Sequence, residues 1–171
     1  MKKQKGFSLI ELLIVVAIIL IIAAIAIPNL LRAKISANEA SAVGSMRTIV
    51  TGEVSYNAAG WANGTTPIGF SAALGDLGTG GAAACPSPTI ATATCYIDQS
   101  VAQAISAATA KSGYFFTYAP VATGGVNTGF NLNGDPAQPG QTGQRHFFAD
   151  ATGVIRANPS VAATVADNPL Q

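Results

Sequence analysis

Residues 1–28 read MKKQKGFSLIELLIVVAIILIIAAIAIP, and this stretch decides the fold. Lys2, Lys3 and Lys5 form a short positive flank. From Phe7 to Ile27 the chain is apolar except for Ser8 and Glu11. As a helix this segment is roughly 30 Å long, about one hydrocarbon thickness. The lysines on one side predict a cytoplasmic N-terminus, with the rest of the chain across the membrane. Three uses of such a segment compete. It can be a signal peptide cut after Ala24-Ile25-Ala26, which would leave a soluble exported binding protein starting at Ile27. It can be a plain anchor, or a segment built for assembly. The unbroken apolar run Leu12–Ile27 exceeds the roughly 7–15 residues of a signal-peptide core. Glu11 argues against a plain anchor, because a carboxylate at membrane depth costs on the order of 2–3 kcal/mol. Either Glu11 snorkels to the headgroups from the helix end, or it finds a positive partner.

Gly6-Phe7-Ser8-Leu9-Ile10-Glu11-Leu12-Leu13 resembles the processing site of type IV pilins and of the pseudopilins of type II secretion: a short basic leader, a Gly, an aromatic, then a Glu as the fifth residue after the cut. The resemblance is close over about Gly6–Val54 and looser beyond. It implies that a prepilin peptidase cuts between Gly6 and Phe7 and methylates the new amine of Phe7. The cut removes three lysines and leaves a cation at Phe7, which the carboxylate of Glu11 can meet on a neighbouring subunit. In a low-dielectric medium either charge alone is expensive, so the pair acts as a register device during assembly. The resemblance also implies a separate assembly ATPase, an inner-membrane platform protein, membrane lipid as the surroundings before assembly, and the chain itself as the main partner. The filament would be a cell-surface pilus serving adhesion, twitching motility or DNA uptake, or the periplasmic pseudopilus of a type II secretion system.

The helical signal continues past Pro28, which lacks an N–H and is expected to kink or locally melt the helix. Leu31, Ile35, Val43, Met46, Val50 and Val54 recur at roughly helical spacing, while Arg32, Lys34, Glu39, Arg47 and Glu53 supply polar positions. Gly44 and Gly52 either permit close packing or local melting, or are tolerated small residues on a buried face. Asn57-Ala58-Ala59-Gly60 reads as the stop. The predicted organisation is a leader at 1–6, a transmembrane and assembly helix at 7–28, its amphipathic continuation at 29–59 and a globular head at 60–171. The fold class is α+β: a pilin fold, in which the second half of a long N-terminal α-helix packs on a small antiparallel β-sheet head.

Fifteen of the eighteen glycines and eight of the nine prolines lie from Gly60 onward, so the head reads as turns and short strands. Trp61–Thr94 reads as a long surface connection. Cys85 and Cys95, on the far side of the membrane, are expected to form a disulfide, the alternative being two free structural thiols. A disulfide here departs from the relatives whose bridge lies near the C-terminus. Asp98 can cap a helix over Gln99–Ser112, with Val101, Ala104, Ile105 and Ala108 inward and Gly113 as its end. Strands are predicted at Tyr114–Ala119, Gly129–Leu132, Arg145–Ala149 and Val154–Ala157, with Asp150-Ala151-Thr152-Gly153 as a hairpin connection. Tyr114, Phe116, Tyr118, Phe147 and Phe148 are expected to divide between core and surface.

Charged residues make up only 10% of the chain, and one histidine and two cysteines cannot build the usual zinc sets. There is no G-x-x-x-x-G-K-[ST] phosphate loop. His146, with Asp150 four residues on, lacks a serine in a strained elbow and reads as structural. Asp135 and Asp150 are the candidates for the calcium site that related pseudopilins carry, but no dense carboxylate loop surrounds them. The sequence thus predicts no catalytic residues, no metal and no cofactor: a structural subunit rather than an enzyme. Asn63-Gly64-Thr65 matches the N-glycosylation sequon. Beyond the leader, six basic residues face eight acidic ones, which makes nucleic acid unsuitable as the main partner.

Overall fold

Fifty consecutive residues, Leu9–Ala58, form α1 in the computed structural model, which describes residues 7–82 and 84–170. The expected leader and the cleavage-site residue Gly6 lie outside the described residues. The chain divides into two units, Met1–Lys34 and Ile35–Gln171, and α1 contributes to both. Of the kink or local melting expected at Pro28, the melting is absent, since α1 remains helical through it, and the helix ends where the Asn57–Gly60 signal places it.

Within the second unit α1 buries one stripe: Glu39, Ala42, Ser45, Met46, Ile49, Gly52, Glu53 and Tyr56. The three- and four-residue steps are those of one helix face. The stripe differs from the expected one in three ways. Val54 is exposed, Ile49 belongs to the core, and Glu39 and Glu53 are buried rather than solvated. The two glycines also part company. A Cβ at Gly52 would press on Ile97 and Leu77, whereas one at Gly44 would meet open space.

After the helix, β1 (Ala62–Asn63) and β2 (Thr66–Pro67) form a small hairpin. The following segment is more than the surface connection expected. A 3₁₀ turn at Leu74–Leu77 and the side chains of Phe70, Leu74 and Leu77 enter the core. Cys85 and Cys95 are joined in a disulfide, their Cα atoms 6.1 Å apart. The expected helix Gln99–Ser112 shrinks to one turn, α2 (Gln99–Ala102). Asp98 does cap it, accepting from the Ser100 N–H at 2.7 Å. The chain then leaves helical geometry because the buried Ala104 carbonyl accepts the Phe116 N–H at 2.7 Å. Val101 and Ala104 face inward as expected, but Ile105 and Ala108 are exposed.

Four strands complete the head: β3 (Tyr114–Thr123), β4 (Val126–Pro136), β5 (His146–Asp150) and β6 (Arg156–Asn158). They form an antiparallel meander in the order β3-β4-β5-β6. β3 and β4 run well beyond the strands predicted, and β6 starts two residues later than expected. Alternation of period two puts Tyr114, Phe116, Phe130 and Leu132 on the face toward α1. Gly134 on that face permits the close approach of Met46, whose Sδ lies 3.1 Å from where a Cβ would stand. Phe147, Phe148 and Ala149 are all buried, although strand neighbours point to opposite faces. The chain beyond β6 supplies the second cover, where the Asn133 side-chain amide donates to the Ala163 carbonyl at 2.9 Å. Of the five aromatics expected to divide between core and surface, four are buried and Tyr118 is half-buried.

Candidate functional site

The candidate site is the first part of α1. Ser8 stands immediately before the first helical residue, and Glu11 lies three residues on. The Ser8 N–H donates to Glu11 Oε2 at 2.9 Å, which is one half of a capping box. Beyond Glu11 the surface is apolar all round. Phe7 is 81% exposed and Leu30 71%, and every large apolar side chain between them is exposed. A helix so formed has no face for water. It is the one helix among the described residues long and apolar enough to cross a membrane. Covering such side chains is worth about 1.5–3 kcal/mol each, so the segment has a large drive toward lipid or other apolar helices. Glu11 is the single carboxylate on it.

The second part of α1 is tied to the head by two of the glutamates that supply its polar positions, Glu39 and Glu53. Glu39 Oε1 accepts from the Gln144 N–H at 3.0 Å and the Arg145 N–H at 3.1 Å, and its Oε2 accepts from Arg145 Nε at 2.8 Å. Beside it the Asn38 amide donates to the Thr142 carbonyl at 2.7 Å. Burial pushes the Glu39 carboxyl up, but the two backbone N–H groups and the guanidinium together hold it below its ordinary value. Glu53 is fully buried, and accepts from the backbone N–H of Ser71 at 3.0 Å and from the Ser71 hydroxyl. The Tyr118 hydroxyl and the Asn127 amide converge on the Ser71 carbonyl. Burial pushes the Glu53 carboxyl up, and the Ser71 bonds only partly oppose it. An Asp or Glu followed by its partner's serine far along the chain carries no sequence signal. A hydrophobic stripe that reads cleanly only when two of its positions are glutamates is the nearest to one.

These shifts have opposite signs for stability. Glu39, depressed in the folded state, contributes above its unfolded value, and the contribution is lost as pH falls through the folded one. Glu53, raised in the folded state, favours the fold while protonated, and this is lost as pH rises from the ordinary glutamate range through the raised folded value. The thermal midpoint of the full chain in detergent, followed from about pH 4 to about pH 8, should therefore fall at the upper end. In Glu53→Gln that fall should be smaller, the remainder coming from Asp76, whose carboxyl burial also pushes up. An identical fall in the variant assigns the pH dependence elsewhere.

The other residues singled out by sequence serve the fold. His146 Nδ1 and Asp135 Oδ1 are 2.6 Å apart. Asp150 accepts from the Thr152 N–H at 2.9 Å at the β5–β6 turn. The two carboxylates considered for calcium thus lie toward opposite ends of β5, each engaged by a neighbour. Among the described residues no three His, Cys, Asp or Glu side chains converge. Asn63 is exposed on the β1–β2 hairpin.

The model of the prokaryotic N-terminal methylation motif matches residues 1–27. The chain is 64% identical over 39 residues to the type IV wide pilus major component PilA4 of Thermus thermophilus, covering 23% of this chain and 30% of that protein. It is 43% identical over 54 residues to the type IV major pilin protein PilA of Myxococcus xanthus, covering 32% of this chain and 24% of that protein. The matched part therefore spans less than a third of either relative. No solved structure matches the chain.

Proposed function

We propose, from an N-terminal segment that carries the prokaryotic methylation motif and is similar to that of type IV pilins, that this chain is the precursor of a structural subunit of a type IV pilus-like filament. The observation that carries the reading is an apolar helical surface, exposed from Phe7 to Leu30, with one carboxylate at Glu11. Both relatives are pilus components by name. In this reading the precursor spans the inner membrane once, with Met1–Gly6 on the cytoplasmic side. A prepilin peptidase cuts between Gly6 and Phe7 and methylates the Phe7 amine. An assembly ATPase and a membrane platform protein then move the helix from lipid into a bundle of its own copies, where apolar contacts replace those with lipid. Glu11 pairs with the Phe7 amine of a neighbour. Identical subunits joined by a contact that does not close give a fibre.

Mass spectrometry of material sheared from the cell surface tests the reading. A mature chain beginning at N-methylated Phe7 is expected. A soluble product beginning at Ile27 would instead identify an exported protein with a cleaved signal peptide. Methyl-Phe7 confined to the periplasm, with a secretion defect and no surface fibres in a deletion strain, would identify a secretion pseudopilin.

A further inference from the structure

Resting on the filament reading, we propose that a groove on the outer face of α1 at Arg47 docks a carboxylate from the head of a second copy. Arg47, Thr48, Thr51 and Ser55 on α1 line it, with Tyr96 as the opposite wall and Gly52 at its floor. The three hydroxyl groups donate back to the helix's own carbonyls, Thr48 to Gly44 at 3.1 Å, Thr51 to Arg47 at 2.9 Å and Ser55 to Thr51 at 2.9 Å. The Arg47 guanidinium is then the charged donor of the lining, and a planar guanidinium is suited to a carboxylate. Arg47 is exposed. Among the described residues the ion pairs are Arg145–Glu39 and His146–Asp135, and Arg47 is in neither.

The complementary charge lies on the same unit but elsewhere. From Gly60 onward three basic residues face five acidic ones. Asp98, Asp150 and Asp167 accept hydrogen bonds from their own neighbours without forming an ion pair. Asp98 is two residues from Tyr96, so it belongs to the groove's own side of the head. The Asp150–Gly153 turn lies beside α1 at Val50, one turn from Arg47, and a contact that propagates needs two different patches, which points to Asp167 as the group delivered by the neighbour. A cation repeated on one side of every subunit and an anion on another fix the rotational setting of successive heads, a task apolar helix contacts perform poorly because they are non-directional.

The test uses filaments of the full chain. Arg47→Lys keeps the charge and supplies an amine. Carbodiimide treatment of filaments mixed from light and heavy-isotope subunits should then give an amide between position 47 and Asp167 of a different copy, seen as mixed-isotope peptides. Arg47→Glu should lower sheared filament yield by about tenfold or more near physiological salt. Its thermal midpoint in detergent should change little, since among the described residues the Arg47 side chain makes no hydrogen bond or ion pair. Normal filament yield from Arg47→Glu overturns the docking proposal alone, as does a position-47 amide confined to one copy or absent. Failure of the unaltered chain to form filaments overturns the filament reading and the docking proposal together.

Discussion

Glu11→Ala is expected to leave the chain membrane-inserted and to abolish its filaments, or reduce them to a trace. The apolar run Leu12–Ile27 is untouched by the change, and removing a carboxylate makes insertion easier by on the order of 2–3 kcal/mol if the group sits at depth. Assembly suffers the opposite effect. In the proposed filament every entering subunit would bring a Phe7 amine, and without Glu11 that cation would have no carboxylate on the helix to meet. Leaving one member of a buried pair alone costs roughly 3–5 kcal/mol, and the cost recurs at each addition. The Ser8 N–H that Glu11 accepts in the single chain also loses its acceptor. Carbonate extraction of membranes and electron microscopy of sheared fractions separate the two effects. Normal filaments from Glu11→Ala would refute the register role, and loss of the protein from membranes would show a different defect. Glu11→Gln is informative beside it: an amide retains the cap on Ser8 but not the charge, so filaments should be lost there too.

Gly143→Ala should be among the most disruptive single methyls in the head. A Cβ at Gly143 would fall on the ring and hydroxyl of Tyr114. Tyr114 is fully buried and its hydroxyl donates to the Arg145 carbonyl at 2.7 Å, so the ring has nowhere to go. The segment around Gly143 must shift instead, and with it the Thr142 carbonyl held by Asn38 and the Gln144 and Arg145 N–H groups held by Glu39. Overpacking of this kind costs about 3 kcal/mol at the upper end of its usual range, which for a head of this size is a fall of roughly 10 °C in the thermal midpoint. Gly44→Ala is the matched control. Nothing stands near its added Cβ, and Ala is the better helix former by about 1 kcal/mol, so the midpoint should hold or rise. A midpoint for Gly143→Ala within a degree or so of the unaltered chain would show that the loop yields freely.

The N-terminal half of the molecule was readable because its physics is one-dimensional. Lysines, a long apolar run and one carboxylate at a fixed distance determine helix, insertion and the candidate site without reference to any distant residue. The four strands were readable for a similar reason, as Tyr114-Phe115-Phe116 and His146-Phe147-Phe148 carry aromatic and turn signals locally. Their ends were not, because β3 and β4 lengthen by pairing with each other. The misreadings all concern residues whose role is set from far along the chain. Glu39 and Glu53 looked like solvated positions because their partners, Arg145 and Ser71, are separated from them by 106 and 18 residues. The Gln99–Ser112 segment has helical composition, but the tertiary hydrogen bond from Phe116 to Ala104 overrides it after one turn. Phe70, Leu74 and Leu77 were hidden in a stretch whose glycines and prolines conceal its periodicity.

The two margins of the sheet are each blunted against further strands. On one side β3 carries Pro120, which has no N–H to offer an incoming chain. On the other, Leu170 donates to the Ile155 carbonyl and Pro169 bridges Arg156 along the three-residue β6. Exposed margins are the usual template for amyloid-like growth. In the proposed fibre the heads would be held at extreme local crowding for long periods, and with β6 covered and β3 interrupted they could stand side by side without zipping into a continuous cross-β aggregate.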